Sequence, residues 1–400
     1  MSEPVSAPRR LPLPEFVAML AFLFATIAFS IDAMLPALPE IAQALTPDNI
    51  NRAQLILTSF MAGMGLGTLF AGPISDAIGR KVAITLGFVI YTVAAIAAVF
   101  AGSLELLLVA RFVQGLGAAA PRIVGLALVR DLYQGREMAR ISSFVMMIFI
   151  IIPAMAPALG QVIISFAGWR GVFLAFVVFA LGGSLWLNLR QPETLLPENR
   201  RPLRLGTLAA GAREVLTDRQ VMLCTVVMTL GFAQMFGLLS SAQQLFGEAY
   251  GKGNQFPMWF AAMALLSGSG TVLNAKFVMR YGMRQIATWA YMMQIVSSGL
   301  TLILLLTGWL SFPLFFVWAV SVFFMAGVTF GNLNALALQR MGHIAGMAAS
   351  IVAAASTLAS VMIAAPVGLL YDGTALPVVV ATLICSTLAL MLMRRLREGG

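Results

Sequence analysis

Charged residues are scarce in this sequence of 400 residues: Asp, Glu, Lys and Arg together make up only 10%. Hydrophobic residues make up 60%, and the mean hydropathy is +0.92. No soluble fold buries that much apolar surface, so a soluble globular protein is excluded. Because each segment in lipid must satisfy its own backbone hydrogen bonds, the composition predicts an all-α protein that crosses the membrane many times.

Cysteine and histidine are almost missing. Cys224 and Cys385 both fall in apolar runs, which excludes a disulfide framework, and the single His343 excludes a His-rich metal site. The sequence also lacks Gly-x-Ser-x-Gly, His-Glu-x-x-His and a phosphate-binding loop. We therefore expect neither an enzyme nor a signalling scaffold, and no metal or cofactor.

Apolar stretches of spanning length recur twelve times. They lie at about 15–36, 53–75, 82–101, 104–129, 141–166, 171–189, 220–244, 256–279, 285–307, 311–338, 345–370 and 376–393. Each meets the requirement of roughly 20 residues for crossing hydrocarbon. The longest polar stretch, 190–219, is rich in Pro and Arg. It predicts a linker between two six-helix halves, 15–189 and 220–393, with tails at 1–14 and 394–400.

The net charge of +9 does not indicate nucleic-acid binding, because the basic residues are sorted between alternate loops. Twenty of the 25 Lys and Arg residues lie on the N-terminal side of the predicted membrane, and two lie within spans. The three on the other side are Arg52, Arg170 and Lys252. Since Lys and Arg are enriched in cytoplasmic loops, both termini and the linker are expected in the cytoplasm.

The N-terminal region also resembles a signal peptide. Arg9-Arg10, an apolar run and Ala42-Gln43-Ala44 have the order of a twin-arginine or secretory signal. We instead expect a first spanning helix, because the run is about twenty residues long, carries Asp32 and precedes eleven similar runs.

Four motifs lie on the predicted helices of the first half. The loop after the second span is a tight turn in which an acid precedes two bases that face lipid headgroups. The motifs are Gly72-Pro-Ile-Ser-Asp76-Ala-Ile-Gly79-Arg80-Lys81 in that loop, Arg111-x-x-Gln114-Gly-x-Gly117 with a terminal Arg130-Asp131 on the fourth span, Pro157-Ala-Leu-Gly160 on the fifth, and Asp32 before Pro36-Ala-Leu-Pro39 on the first.

These motifs resemble those of the major facilitator superfamily, above all the bicyclomycin-resistance (Bcr/CflA) subgroup of its drug:proton antiporters. Ala345-Gly346 to Ser350 on the eleventh span is also similar to that subgroup. The resemblance implies two six-helix halves that rock about a central cavity. It also implies proton-driven efflux of small amphipathic drugs or toxic metabolites, and hence antibiotic resistance, by a monomer in the bacterial inner membrane. With no nucleotide site, the proton gradient would be the driving force.

The chain departs from the family pattern at two places. The antiporter signature has glycines where this chain has Ile152, Ala156 and Gln161. In the second half, the repeated loop has Met279 where the first half has Asp76. The alternative function is a dedicated metabolite exporter or a proton-coupled importer of the same fold, because fold does not decide function.

Asp32 and Arg111 are the residues that we expect to couple transport to protons. At 1.5 Å per residue, both lie at similar depths in the half of the membrane remote from the linker. Burial and a nearby arginine act in opposite senses on the protonation of a carboxyl group, so Asp32 is expected to respond when water or substrate enters. The alternative is a static ion pair that joins the first and fourth helices.

Polar and aromatic residues near mid-span are the candidates for substrate binding, and helix packing is the alternative for each. Besides Asp32, Arg111 and Gln114, they are Gln234, Met235, Phe236, Gln294, Asn332 and Asn334. Because Asp32 is the one carboxylate of the first span, neutral or monocationic substrates are expected to be handled better than dications.

Two further hypotheses concern the cytoplasmic half. The residues expected to latch the cytoplasmic side in one state are Gly72, Asp76, Gly79, Arg80 and Asp131, with the two glycines permitting the turn. Arg122 lies three turns along the helix from Arg111. It either lines an inward-facing cavity or extends its side chain to the cytoplasmic headgroups.

Overall fold

The computed structural model describes residues 11–396, and all side chains among them except those of residues 136, 139–140, 142–143, 145–150, 205 and 207. Most of the two predicted tails therefore lies outside the described residues. So do Arg9, Arg10 and Arg397, which entered the count of basic residues.

The described chain forms twelve long helices. They are α1 (Leu13–Asp32), α2 (Leu55–Ile78), α3 (Arg80–Val99), α4 (Leu104–Leu132), α5 (135–167), α6 (169–190), α7 (Arg219–Gln244), α8 (Phe256–Tyr281), α9 (Met283–Leu306), α10 (Phe312–Leu338), α11 (Ala345–Leu369) and α12 (Leu376–Met393). They are long and apolar enough to span a membrane. Because α5 and α6 follow each other without a loop, the described residues contain eleven separate stretches of this kind. The predicted all-α architecture of two six-helix halves is confirmed.

The separation of α5 from α6 depends on one glycine. Within the helical run Gly135–Arg190, Gly168 has φ +62° and ψ −173°, a conformation that glycine adopts without steric cost. Arg170 donates to the Val99 carbonyl oxygen at the end of α3, whereas Arg190 pairs with Glu15 at the start of α1. The two ends of α6 therefore lie at opposite ends of the molecule, so the chain reverses at Gly168.

The first span is interrupted at its middle. Its regular helix ends at Asp32, and the span continues through a 3₁₀ turn (Leu35–Ala37) and a short helix (Leu38–Leu45). Since Pro36 has no N–H, the Asp32 carbonyl oxygen loses its helical donor four residues ahead. The span therefore reaches beyond the predicted end at residue 36 and places Asp32 at a break in the helix.

The halves meet along two seams, α2 against α11 and α5 against α8. Within the first half, α2 and α4 approach most closely. A Cβ added to Gly63 would lie 1.9 Å from the Phe112 carbonyl oxygen, and one added to Gly115 would lie 2.1 Å from the Phe60 carbonyl oxygen. Only glycine fits at such a helix crossing in lipid.

The segment between the halves contains a helix that the sequence analysis did not predict, Leu205–Thr217. It packs on the start of α11, where a Cβ added to Gly211 would lie 2.1 Å from Met347 Sδ. We call the end of the molecule that carries residues 190–219 the linker end. The opposite end, which carries the 3₁₀ turn Ile50–Gln54 and Tyr371, is called the far end.

Candidate functional site

Arg111 is fully buried on α4 and holds three helices together. Its Nη2 donates to the Ser30 carbonyl oxygen at 3.0 Å, and its Nη1 donates to Gln114 Oε1 at 2.6 Å. Its Nε lies 3.5 Å from the Ile56 carbonyl oxygen, and its guanidinium lies 4.3 Å from the centre of the Phe60 ring. Arg111 thus joins α4 to α1 and α2 through backbone carbonyls, which compensate the charge at this depth.

Asp32 lies two residues beyond the carbonyl that Arg111 contacts, so the two side chains are at similar depths. Asp32 is 5% exposed and makes no hydrogen bond or ion pair with any described residue. An Asp32–Arg111 ion pair within 4.0 Å is therefore absent in the part of the chain that the structure describes. The alternative of a static ion pair does not hold here.

The helix break after Asp32 is covered by α5. A Cβ added to Gly160 would lie 2.2 Å from the Ala33 carbonyl oxygen, so a larger residue would collide with the backbone next to Asp32. Pro157, one turn earlier on α5, is also buried. The motif that resembles the antiporter signature therefore packs directly against the interrupted part of α1.

Tyr91 on α3 belongs to the same site, although the sequence analysis did not name it. Its hydroxyl lies 2.5 Å from Ser30 Oγ, and the residue is 1% exposed. Gln114 Nε2 is buried and has no acceptor among the described residues. The available signal was a tyrosine in the middle of an apolar span, where its hydroxyl needs a partner. We call Ser30, Tyr91, Arg111 and Gln114 the buried polar cluster, which begins two residues before Asp32 on α1.

Two glutamines predicted to bind substrate instead join helices of the second half. Gln234 on α7 accepts a hydrogen bond from Ser386 on α12 at 2.9 Å. Gln294 on α9 accepts one from Ser321 on α10 at 3.2 Å. Such polar pairs stabilise helix association in lipid, which agrees with the packing alternative.

The remaining candidates on α7 and α10 are also largely enclosed. Asn332 donates to Asn274 Oδ1 on α8 at 2.7 Å, so it too joins two helices. Phe236 is 5% exposed, and Met235 and Asn334 are half-buried. Their predicted contact with substrate stays a prediction.

Arg80 is the centre of a charged group at the linker end. Its Nε donates to Asp131 Oδ2 at 2.9 Å, its Nη1 donates to Ser75 Oγ at 2.7 Å, and it also pairs with Asp76. Arg80 is only 8% exposed. All these partners belong to the first half, so the group braces α2, α3 and α4 against one another.

The segment after α6 joins this charged group, which the sequence analysis did not foresee. The Glu193 carboxylate accepts from the backbone N–H of Arg80 at 2.9 Å and of Lys81 at 3.1 Å, and so caps the N-terminus of α3. Thr194 Oγ1 donates to Asp131 Oδ2 at 2.9 Å. The linker is thereby tied to the first half.

The turn between α2 and α3 is made by Gly79, whose φ is +105°. Gly72 lies inside α2, which continues regularly to Ile78. The expectation that Gly72 also permits the turn is therefore wrong. Gly72 instead faces α11, where an added Cβ would lie 3.9 Å from Ser350 Oγ.

A cavity of about 1200 Å³ opens between the halves at the linker end. Its walls come from α2, α4, the start of α11 and residues 195–208. Arg130 on α4 and Gly346 on α11 approach each other across it, with an added Gly346 Cβ 3.9 Å from Arg130 Nη1. At this end a cavity thus lies between the halves, and its walls approach each other at these two residues.

At the far end the halves are in contact. Gln54 hydrogen-bonds Gln244 on α7 and accepts from Ser241 at 2.9 Å. Asn51 donates to the Tyr371 carbonyl oxygen at 2.8 Å. A bundle closed at one end and open at the other represents one of the two states that alternating access requires.

Sequence comparison assigns the chain to a family. Residues 19–393 match the sequence model of the Major Facilitator Superfamily. The chain therefore belongs to the Major Facilitator Superfamily, and it is a membrane transporter of small molecules rather than an enzyme.

Three similar proteins illustrate the assignment. The chain is 30% identical to a bicyclomycin resistance protein homolog of Haemophilus influenzae over 84% of both chains. It is 25% identical to multidrug resistance protein D of Escherichia coli, over 88% of this chain and 87% of that one. The solved structure of a D-xylose-proton symporter superposes with a TM-score of 0.75 at 16% identity, covering 96% of this chain and 98% of that chain. The last likeness concerns the fold alone.

Proposed function

We propose that this transporter exports small amphipathic drugs or toxic metabolites in exchange for protons, by alternating access of its two halves. The observation that carries the proposal is Asp32, the one buried carboxylate among the described residues, without a partner at a break in α1. The names of the bicyclomycin and multidrug resistance relatives support efflux.

Protonation of Asp32 would change which contacts α1 can make. An ionised carboxylate at membrane depth needs a partner, whereas a protonated one does not. Ser30, two residues before Asp32, belongs to the buried polar cluster, in which Gln114 Nε2 has no acceptor among the described residues. Since α1 is interrupted at Asp32, a shift toward these groups needs no regular helix to be broken. Movement there would be transmitted to α5 through the contact between Ala33 and Gly160.

The orientation of the protein is part of the proposal. With the positive-inside rule, the linker end and both termini lie in the cytoplasm of a bacterial cell, and the protein is a multi-pass inner-membrane monomer. The state described here is then open toward the cytoplasm. In the opposite state, the group of Gly72, Asp76, Gly79, Arg80 and Asp131 would latch the cytoplasmic side. The proton gradient is the driving force, and no cofactor is involved.

The test is drug-induced proton movement in proteoliposomes with an imposed pH gradient, followed with a trapped pH-sensitive dye. Bicyclomycin is the probe, and the variants are Asp32→Asn and the control Asp48→Asn, which changes an exposed aspartate. We expect proton movement opposite to the drug in the native protein and the control, and none in Asp32→Asn. Proton movement in the same direction as the drug would instead indicate an importer. An unchanged response of Asp32→Asn would refute coupling at this residue.

A further inference from the structure

Arg122 lies on the side of α4 that is remote from α3 and from the lipid face of α3. The side of α4 that carries Gly117 and Ala120 packs on α3, where an added Gly117 Cβ would lie 2.5 Å from the Gly87 carbonyl oxygen. The opposite face of α3 is exposed and apolar, with Val89 52% and Val93 62% exposed, so it is a lipid face. At 3.6 residues per turn, Arg122 projects about 170° away from the contact with α3.

Arg122 is exposed although it lies far from the ends of its helix. Ten residues, or about 15 Å of helix, separate it from Leu132 at the end of α4, which is beyond the reach of its side chain. This distance favours the alternative in which Arg122 lines an inward-facing cavity. A guanidinium at that depth is stable only in a wet cavity or with a partner. Arg122 therefore faces water between the halves.

Arg122 is free to bind a ligand, in contrast to Arg111 on the same helix face. Arg111 is fully buried and is held by the Ser30 carbonyl oxygen and the Gln114 side chain. Arg122 makes no hydrogen bond or ion pair with any residue that the structure describes. One arginine thus binds helices together, whereas the donors of the other are unpaired among the described residues and lie beside Ile123, which lines the cavity at the linker end.

No carboxylate among the described residues forms an ion pair with Arg122, and Asp76 on the adjacent α2 pairs with Arg80 instead. The sequence has no Asp or Glu between Glu105 and Asp131 on α4, and none between Glu248 and Asp372 across the second half. On α1, Asp32 lies eight residues beyond Phe24, which packs beside Gly125 near the level of Arg122, so it is about 12 Å farther along. The cavity is therefore electropositive at this depth and attracts anions.

We propose that Arg122 binds a carboxylate group of the transported substrate, so that amphipathic monocarboxylates are a preferred substrate class. A guanidinium binds a carboxylate through two parallel hydrogen bonds. Leu126, one turn along the same face of α4, is 37% exposed and offers apolar contact to the rest of such a molecule. Asp32 alone would favour neutral or monocationic substrates. Because Asp32 is only 5% exposed whereas Arg122 is exposed, Arg122 is the more accessible of the two to a ligand. This inference names a substrate class for the proposed transport site and so rests on the proposed function.

The test is a binding measurement that needs no proton gradient, so its outcome is independent of whether antiport holds. The protein in lipid nanodiscs is titrated with 1-pyrenebutyrate and with its uncharged amide, and binding is followed by pyrene fluorescence anisotropy. The variants are R122Q, R122K and the control R395Q, which removes an exposed arginine at the linker end. The amide also reports whether each variant is folded.

We expect the native protein and R395Q to bind the carboxylate about tenfold more tightly than the amide, which corresponds to one charge-assisted hydrogen bond. R122Q should lose this preference while it keeps its affinity for the amide, and R122K should keep part of it. Equal affinities in the native protein, or an unchanged preference in R122Q, would overturn the proposal. Lowering the chloride concentration should strengthen carboxylate binding slightly if at all. A preference that disappears in chloride buffer would mean that an inorganic anion occupies the site instead.

Discussion

The two halves of this transporter have the same six-helix architecture but different polar chemistry. The first half carries the charges within the membrane, namely Asp32, Arg111 and Arg122, and the ionic group around Arg80. The second half has neutral pairs between its helices, such as Gln234–Ser386 and Asn332–Asn274. It has no acid between Glu248 and Asp372.

The two halves of a repeated fold can carry out different tasks, and the difference in polar chemistry indicates such a division. Neutral hydrogen bonds hold helices together without responding to pH or to a charged ligand. Charged groups cost more to bury, and they are retained where a proton or a substrate changes their environment. If the proposed coupling holds, the groups that respond to a proton or a substrate belong to the first half.

The largest predicted effect concerns the closest helix contact of the first half. Gly115→Val would push a side chain into the Phe60 carbonyl oxygen and should destabilise the protein by about 3 kcal/mol. Gly299→Val on α9 is the matched control, because an added Cβ there meets nothing within 4 Å. Thermal unfolding of both variants in detergent, followed by tryptophan fluorescence, measures the effect. An equal loss of stability in both variants would mean that the low helix propensity of valine, and not the close approach of two helices, causes the effect.

The next prediction compares the two repeated loops at the linker end. Arg80→Gln removes the bond to Asp131 and should lower the free energy of unfolding by about 2 kcal/mol. In the repeated loop of the second half, Met283 takes the place of Arg80, and the next residue, Arg284, makes only long hydrogen bonds of 3.4 and 3.5 Å to carbonyl oxygens near the end of α12. Arg284→Gln should therefore change stability by less than about 0.5 kcal/mol. Titration with denaturant in mixed micelles measures the free energy of unfolding of both variants. A larger loss in Arg284→Gln than in Arg80→Gln would contradict the distinction between the halves.

The smallest predicted effect tests whether neutral pairs behave alike in both halves. Asn274→Ala breaks the bond to Asn332, and should cost about 0.6 kcal/mol. Asn188→Ala in the first half breaks a bond to Thr85 of 2.9 Å and should cost about the same. The same titration measures both variants. A clearly larger loss in the first half would show that the halves differ in general packing as well as in charge.

The spans and the charged motifs could be predicted from the sequence because they depend on length and depth. Counting residues placed Asp32 and Arg111 at similar heights, and the structure agrees. Counting does not give the rotation of a helix about its axis. For that reason it could not decide whether Asp32 and Arg111 form an ion pair, or whether Gln294 and Asn332 hydrogen-bond neighbouring helices.

Contacts between segments far apart in sequence were also out of reach. The Pro and Arg residues of 190–219 favoured a linker, but the approach of Glu193 to the N-terminus of α3 depends on where the first half ends in space. The contact between Asn51 and the Tyr371 carbonyl oxygen spans both halves, and no local pattern marks either residue. Such pairs become visible only once the two halves have been assembled.

The far end of the molecule has one property that follows from its composition. The hydrogen bonds of Asn51, Gln54, Ser241 and Gln244 that close it have only uncharged donors and acceptors. Burial raises the pKa of the nearby Tyr371 above its ordinary value, so its hydroxyl also stays neutral. These four side chains therefore neither gain nor lose a proton when the pH changes, and added salt has no charge in their hydrogen bonds to screen.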